Sequence, residues 1–485
     1  MPHQQQAERS SLPRDPAEAV AALEAVLEQA RTYLRELDAA PVRRPDSDEA
    51  ARRARGAFPE EGDGTQDTLQ ALFEIADGAR VASSGPRFFH WVIGGTTPAA
   101  LAADWLTSLV DQNAGGWHAS PLATELETVS IDWLLDLFGL PSSWSGVLVT
   151  GGTMANFTGL AAGRRWCASR NGVDVEQQGL AGMPQIPVLS SGLIHVSAVK
   201  SLGMLGLGRA TTTICSADAA GRIDLAKMEQ ELEALDGTPA IIIGNAGEVN
   251  AGEFDPIADL AALAERYGAW LHVDGAFGLF AAASPRTRHL LNGIEGAHSV
   301  SSDGHKWLNV PYDCGFTFVR ESSLLGEAFF AGAAYLPESE EDRPNYGYLA
   351  PEISRRARSL AVWATLKAYG RAGYREIVER CLDNAAHVAR LVEEAPDLEL
   401  LAPAGLNIVC FRYRLEGVPD EELDALNLEI EQRVLTDGRV YVGTTRRAGI
   451  VGFRPAFVNW RTTKDDAALV VEVVRDLGHQ ARGRP

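Results

Sequence analysis

Two stretches decide the fold: His272-Val273-Asp274-Gly275-Ala276 and, further along the chain, Asp303-Gly304-His305-Lys306-Trp307. The first has an aspartate at the end of an apolar strand, and the second has a lysine between a histidine and a tryptophan. A lysine amine can hold pyridoxal phosphate (PLP) as a Schiff base, and a carboxylate paired with the pyridinium nitrogen makes the ring an electron sink. A lone His-Lys-Trp is typical of a surface lysine beside a core tryptophan, but the two stretches in this order predict a PLP site.

Short apolar segments alternate with helical patterns around these stretches, which is typical of a mostly parallel sheet with helices on both faces. The predicted strands are residues 145–149, 186–189, 212–215, 240–243, 270–273, 299–301 and 315–319. The pattern therefore predicts an α/β fold with a seven-stranded sheet. Helices are predicted before the sheet at 16–38 and 67–80, with a loop over 39–66 between them, and a long helix is predicted after it at 355–395.

Three parts of the chain are expected from this organisation. Residues 1–98 form an N-terminal helical segment, and residues 99–370 form the large domain that contains the predicted cofactor site. Residues 371–485 combine helices with short strands at 408–413 and 450–454, so they are expected to form a small α+β domain.

Composition excludes several classes of function. The 485 residues are 46% hydrophobic and 22% charged, with a net charge of −21, which disfavours both nucleic acid and anionic membrane surfaces. The chain has no apolar run of the roughly 20 residues that a membrane helix needs. Its five cysteines include no C-x-x-C pair, so we expect reduced thiols, no metal centre and a cytoplasmic location.

A phosphate cup is predicted where the strand 145–149 meets the next helix, in the sequence Thr150-Gly151-Gly152-Thr153-Met154-Ala155-Asn156. The glycines let the backbone approach an anion, and a helix N-terminus offers unpaired N–H groups and a favourable dipole. His195 follows the next predicted strand, where its ring can lie flat on a pyridine ring. By itself a histidine at this position is more often a capping or core residue.

Together these motifs resemble the group II PLP-dependent decarboxylases, which have the aspartate-aminotransferase fold (fold type I). The resemblance runs from about Phe88 into the C-terminal domain. It includes the sequences Ser120-Pro-Leu-Ala-Thr-Glu-Leu-Glu, Phe254-Asp255-Pro256 and Ser354-Arg-Arg-Ala-Arg-Ser-Leu beside the motifs above. The resemblance implies that the protein converts an L-amino acid to its amine and CO2 as a homodimer whose subunits share the active site. The N-terminal segment 1–98 would take part in forming this dimer.

The resemblance also implies a role for individual residues. Lys306 would hold PLP, Asp274 would pair with the ring nitrogen, and His195 and Ala276 would pack on the two faces of the ring. The phosphate would be bound by Gly152, Thr153, Met154 and His305, and Ser354 also belongs to the implied cofactor-binding set. Tyr335 matches the tyrosine of the mobile catalytic loop that the neighbouring subunit supplies, and it would donate a proton to Cα.

The substrate pocket is predicted from a cluster of apolar and aromatic residues. Phe89, Val92, Ile93 and Trp117, together with Tyr335, are the expected substrate-binding residues, and they favour an aromatic L-amino acid. An ordinary core is an equally good interpretation of residues 88–95 from the sequence alone.

The sequence departs from the family at Gly247-Glu248-Val249-Asn250, where a Gly-Thr-Thr turn is usual. Glu248 would favour a cationic substrate if it faced the site. Open alternatives are therefore a decarboxylase of an acidic or basic amino acid, an aldehyde synthase, an aminotransferase or another lyase, and a non-catalytic interaction protein.

Overall fold

A computed structural model describes residues 15–332 and 343–482 of the chain. Five helices precede the first strand, the following helices are interspersed with strands, and a helix ends the described chain. The helices are α1 Pro16–Glu36, α2 Ser47–Arg52, α3 Thr65–Ala79, α4 Pro98–Val110, α5 Pro121–Phe138, α6 Gly152–Arg170, α7 Val175–Gln178, α8 Val196–Met204, α9 Leu225–Ala234, α10 Ile257–Tyr267, α11 Ser322–Phe329, α12 Ser359–Glu394, α13 Asp420–Asp437 and α14 Lys464–Arg482.

The large sheet contains seven strands within the described residues. They are β1 Ser145–Val149, β2 Val188–Ser190, β3 Thr212–Ile214, β4 Ile241–Asn245, β5 Trp270–Asp274, β6 Ser299–Asp303 and β7 Gly315–Val319. Their order is β1-β7-β6-β5-β4-β2-β3, and only β7 runs antiparallel to its two neighbours. The prediction of an α/β fold with a mostly parallel seven-stranded sheet is confirmed.

The central strands are buried on both faces, which suits the apolar residues that begin β4 and β5, whereas β6 is mostly serine. Every residue of β4, β5, β6 and β7 is buried. Helix α6 packs against β5, β6 and β7, and Gly163 permits this because a Cβ there would come within 2.8 Å of the Trp270 ring. None of the helices in residues 15–332 and 343–482 combines the length and the apolar composition that crossing a bilayer requires.

The C-terminal part contains a second, antiparallel sheet in the order β10-β11-β9-β8. Its strands are β8 Leu398–Leu400, β9 Phe411–Tyr413, β10 Thr444–Arg447 and β11 Ile450–Phe453. The predicted domain boundary at residue 370 stays a prediction. It coincides with a break in α12, because Gly370 has φ 57° and ψ −169° there.

The N-terminal segment differs from the prediction in one place. Residues 39–66 were expected to form a loop, but residues Ser47–Arg52 within them form α2. This short helix packs against α3 and buries Ala50, whose Cβ lies against Gly78. The tertiary contact stabilises a helix that is too short to be stable by itself.

A buried ion pair ties the segment after residue 343 to the large sheet. Arg355 donates two hydrogen bonds to Glu127 of α5, at 3.1 and 2.6 Å, and both side chains are at most 2% exposed. Arg355 also donates to the carbonyls of Ala114 and Leu148, while Glu127 accepts from the Leu148 N–H. These bonds fix α5, β1 and the chain before α12 relative to one another.

Replacing Arg355 with methionine should therefore destabilise the protein strongly. The variant leaves the Glu127 carboxylate buried without its cation, which typically costs about 3–5 kcal/mol. Thermal or urea unfolding at a fixed protein concentration would measure it. The matched control is Arg371→Met, because the Arg371–Asp136 pair is 43% and 80% exposed and is expected to contribute less than about 1 kcal/mol. Equal effects in the two variants would contradict the structural role of the buried pair.

Candidate active site

A cavity of about 270 Å³ lies where the strand–helix connections of the large sheet meet. Such a volume is near the lower limit of roughly 300 Å³ for small-molecule sites. It brings together most of the residues that the sequence predicted for the cofactor. The lining residues are Trp91, Thr150, Gly151, Gly152, Thr153, Met154, His195, Ser197, Ala276, Asp303, His305, Lys306 and Tyr312.

The predicted phosphate cup is formed by the turn from β1 into α6. Gly151 has φ 143°, which lies outside the range that residues with a side chain readily adopt. A Cβ at Gly152 would come within 2.5 Å of an Asp303 oxygen, so only glycine leaves space there. The first helical turn directs the N–H groups of residues 152–154 towards the cavity end of α6, where an anion is favoured by the helix dipole.

Asp274 ends β5 directly behind the cavity wall. One carboxylate oxygen accepts from Asn156 Nδ2 at 2.8 Å, and the other accepts from the Ala276 N–H at 3.1 Å. Asn156 is itself fixed, because its Oδ1 accepts from His272 Nε2 at 2.9 Å and from the Ser301 hydroxyl. Burial lowers the pKa of His272 to about 4, so His272 is neutral and donates through one nitrogen only.

His195 is the N-cap of α8. Its Nδ1 accepts from the Ser197 N–H at 3.2 Å and lies 2.7 Å from the Ser197 hydroxyl, which in turn accepts from Asn156 Nδ2 at 3.0 Å. Burial lowers the pKa of His195, although the charge of Asp274 opposes this. The side chain is therefore held in one orientation as a neutral ring, connected to Asp274 through Ser197 and Asn156.

Lys306 points into the cavity from the connection between β6 and β7. Its Nζ lies 2.9 Å from Asp303 Oδ2 and 5.9 Å from the centre of the Phe277 ring. The neighbouring His305 accepts the Cys314 N–H at Nδ1, directs Nε2 towards Asp303 at 3.4 Å, and stacks on Tyr312 with ring centres 4.2 Å apart.

These residues fit pyridoxal phosphate. The Lys306 amine can react with the aldehyde, and the glycines at the N-terminus of α6 leave space for the phosphate. The Asp274 carboxylate, which accepts the N–H of the cavity residue Ala276, can pair with the ring nitrogen. The shape of the cup is specific, since the two glycines that form it could not be replaced without a clash with Asp303 or His305.

The predicted substrate residues are mostly elsewhere. Phe89, Val92 and Ile93 are buried in apolar clusters and do not line the cavity. Trp117 lines a separate cavity with Arg343 and Tyr348. Ser354 is exposed and lies outside the cavity wall within one chain. Tyr335 lies outside the described residues, so its role stays a prediction.

Trp91 lines the cavity, whereas its predicted neighbours Val92 and Ile93 do not. Trp91 and Val92 both have positive φ, 58° and 60°, which is unusual for residues other than glycine and costs backbone energy. The strain turns Val92 into the core and places the 60% exposed indole of Trp91 at the cavity. Close packing holds the turn in place, because the Gly94 N–H donates to the His305 carbonyl and a Cβ at Gly94 would clash with Lys306.

Glu248 does not act as a receptor for a cationic substrate in this structure. It is 4% exposed, and its two carboxylate oxygens accept the N–H groups of Asn250 and Ala251 in its own turn. Burial raises the pKa of Glu248, while these two backbone bonds oppose the shift. At this departure from the family, the buried Glu248 carboxylate is therefore satisfied by backbone N–H groups of its own turn.

Sequence reasoning assigned no role to Asn156, Asp303, Ser197 or Tyr312. Asn156 and Asp303 belong to motifs that were recognised, at the end of the phosphate turn and three residues before Lys306. Both are polar residues beside predicted catalytic residues. A polar side chain that is buried at such a place needs a hydrogen-bond partner, and this could have indicated their role.

The chain is also similar to known proteins that depend on pyridoxal phosphate. Residues 49–414 match the family model of the pyridoxal-dependent decarboxylase conserved domain. The chain is 30% identical to an aromatic-L-amino-acid decarboxylase of Bacillus atrophaeus over 90% of both chains. It is 32% identical to an L-2,4-diaminobutyrate decarboxylase of Rhizobium meliloti over 86% of this chain and 85% of that protein.

A solved structure shows the same fold. The crystal structure of Oryza sativa TDC with PLP and tryptamine superposes with a TM-score of 0.89 and 24% identity, over 97% of this chain and 99% of the other.

Proposed function

Because the chain belongs to the pyridoxal-dependent decarboxylase family, we propose that Lys306 holds its PLP cofactor and that its substrate is an aromatic L-amino acid. The protein is a PLP-dependent carboxy-lyase of fold type I. The observation that supports the site assignment is that Lys306, His195, Ala276 and the N-terminus of α6 line one cavity, with Asp274 directly behind it.

When bound, PLP supplies an electron-withdrawing ring into which the electrons of the Cα–carboxylate bond can move. Asp274 would keep a proton on the ring nitrogen, since an opposite charge nearby favours the charged form. Asn156 and the Ala276 N–H hold the carboxylate in place for this contact. His195 is neutral and fixed by Ser197, so it can pack on the ring without adding positive charge.

Arg454 is a suitable receptor for the substrate carboxylate. Its guanidinium is buried, and its Nη2 has no hydrogen-bond partner among the described residues. Burial lowers its pKa to about 10, so it stays charged at neutral pH. Its Nε donates to the Val249 carbonyl at 2.9 Å, and its charge adds to the effect of burial in lowering the pKa of His195. A charged donor of this kind binds a carboxylate strongly.

Protonation of Cα is assigned to Tyr335, which the neighbouring subunit would contribute. The dimer is part of the proposal, and exposed apolar side chains on and near α4 support it. These are Trp105, Leu106, Leu109 and Leu122. Ser354 and Trp117, which lie outside the cavity of their own chain, would then meet the site of the partner. The cytoplasm is the proposed location, and the five buried free thiols are consistent with it.

The aromatic substrate is supported by Trp91 at the cavity and by the similarity to an aromatic-L-amino-acid decarboxylase. The test supplies the PLP-loaded protein with L-tryptophan, L-tyrosine, L-phenylalanine, L-glutamate and L-2,4-diaminobutyrate and identifies the products by mass spectrometry. We expect an amine and CO2 from an aromatic substrate. Preferential turnover of glutamate or diaminobutyrate would contradict the aromatic assignment, and an aldehyde with peroxide or a keto acid would contradict simple decarboxylation.

Replacing Trp91 with alanine should raise KM for the aromatic substrate about 3- to 10-fold with a smaller change in kcat, because one aromatic contact contributes roughly 0.5–1.5 kcal/mol. Steady-state kinetics would separate the two parameters. The matched control is Phe58→Ala, since Phe58 is an aromatic residue that is 97% exposed and should leave both unchanged. An unchanged KM in Trp91→Ala would remove Trp91 from the substrate site.

A further inference from the structure

Asp303 places a carboxylate inside the proposed phosphate cup. It is the last residue of β6 and is 2% exposed. One oxygen, Oδ2, lies 2.9 Å from Lys306 Nζ and so close to Gly152 that a Cβ there would come within 2.5 Å of it. The carboxylate therefore lies between the cofactor lysine and the first turn of α6, where the phosphate is expected.

Among the titratable groups around Asp303, the cation that pairs with its carboxylate is Lys306. Those that face it or feel its charge in the described chain are Lys306, His305, His195, Tyr312 and Cys314. Burial lowers the pKa of both histidines, and burial raises the pKa of Tyr312 and Cys314, so these four groups are mainly neutral near pH 7. Lys306 alone balances the carboxylate before the cofactor binds.

The surroundings of the second oxygen, Oδ1, show that the carboxylate is not fully satisfied. Among the described residues Oδ1 has no hydrogen-bond partner, although it is buried. His305 Nε2 approaches it only to 3.4 Å. A buried acceptor without a donor is costly and marks a position where a proton or a donor is needed.

A phosphate at the N-terminus of α6 would bring two further negative charges next to this carboxylate. Two acids that share a buried site cannot both stay fully ionised, and a proton held between them relieves the repulsion. We propose that the phosphate of the cofactor binds together with one proton, which it shares with the Asp303 carboxylate. The inference rests on the proposed position of the phosphate.

A shared proton makes the dissociation constant for PLP depend on pH. A free phosphate monoester is mostly a dianion above its second pKa of about 6, so it must gain a proton on binding. The dissociation constant for PLP should then rise tenfold per pH unit, or roughly 30-fold between about pH 7 and 8.5. Pyridoxal has the same aldehyde but no phosphate, so the comparison of the two removes the pH dependence of the reaction with Lys306.

The experiment measures both dissociation constants on the cofactor-free protein by calorimetric titration across this pH range. In the wild type, the preference for PLP over pyridoxal should fall about 30-fold as the pH rises. In Asp303→Asn it should change less than about threefold, and PLP should bind at least tenfold more tightly at the upper pH. His305→Asn should keep the pH dependence of the wild type. Thermal unfolding would verify that both variants are folded.

A second measurement needs no variant. Titrations in two buffers with different ionisation enthalpies should show that PLP takes up about one proton more than pyridoxal does. A preference for PLP that does not depend on pH, or a dependence that survives in Asp303→Asn, would overturn the inference but leave the cofactor site intact. If PLP bound no more tightly than pyridoxal at any pH, the proposed phosphate position would fail as well.

Discussion

Replacing Lys306 with alanine is expected to abolish the covalent attachment of PLP and to lower decarboxylation by roughly three orders of magnitude or more, which corresponds to at least about 4 kcal/mol of transition-state stabilisation. The reason is that Lys306 supplies the one amine among the described residues of the cavity wall. Borohydride reduction of the loaded protein followed by peptide mass spectrometry would locate the attachment in the wild type and show its absence in the variant.

The control for this experiment is Lys200→Ala. Lys200 lies on α8, five positions after His195, and its side chain is exposed, so its removal should change neither attachment nor rate. A reduced adduct on any peptide other than that containing Lys306, or substantial turnover by Lys306→Ala, would contradict the assignment.

Replacing Asp274 with alanine should lower kcat about 10³-fold, or roughly 4 kcal/mol, while PLP still binds with lower affinity. The variant removes the charge that keeps the ring nitrogen protonated, and without that proton the ring is a poorer electron sink. The loss should appear in kcat, because the interaction matters most in the transition state.

Asp274→Asn separates charge from hydrogen bonding. Asparagine keeps the shape of the side chain and can still accept the Ala276 N–H bond, but it carries no negative charge. A loss as large as in the alanine variant would therefore identify the charge as the essential property. Near-normal turnover in either variant would rule out Asp274 as the partner of the ring nitrogen.

Sequence patterns were sufficient to predict the sheet and to select residues that mostly line one cavity, because both depend on short-range signals. All seven strands of the large sheet were predicted, although β3 and β6 are largely polar, and Lys306, His195 and Gly152 line the cavity since they follow the ends of strands. Boundaries shifted by one or two residues, as for β2 and β4, because hydrogen-bond pairing with neighbouring strands sets them.

The substrate side was harder to predict, since it depends on backbone geometry that the sequence does not specify. Neither Trp91 nor Val92 is glycine, so nothing in the sequence indicated their left-handed conformation or which aromatic ring would face the cavity. Asp303 was overlooked for a related reason: its importance comes from the approach of β6 to the start of α6, two elements that are far apart in the chain.

The position of β7 has a consequence for synthesis on the ribosome. β1 pairs with β7 alone in the large sheet, and its residue Ser145 lies opposite Val319, so the partner strand is translated roughly 170 residues later. At about 5–20 residues per second, β1 waits on the order of 10–30 s for its partner. During that interval the nascent chain exposes an unpaired strand edge next to the phosphate turn, which makes it a target for chaperones and for aggregation.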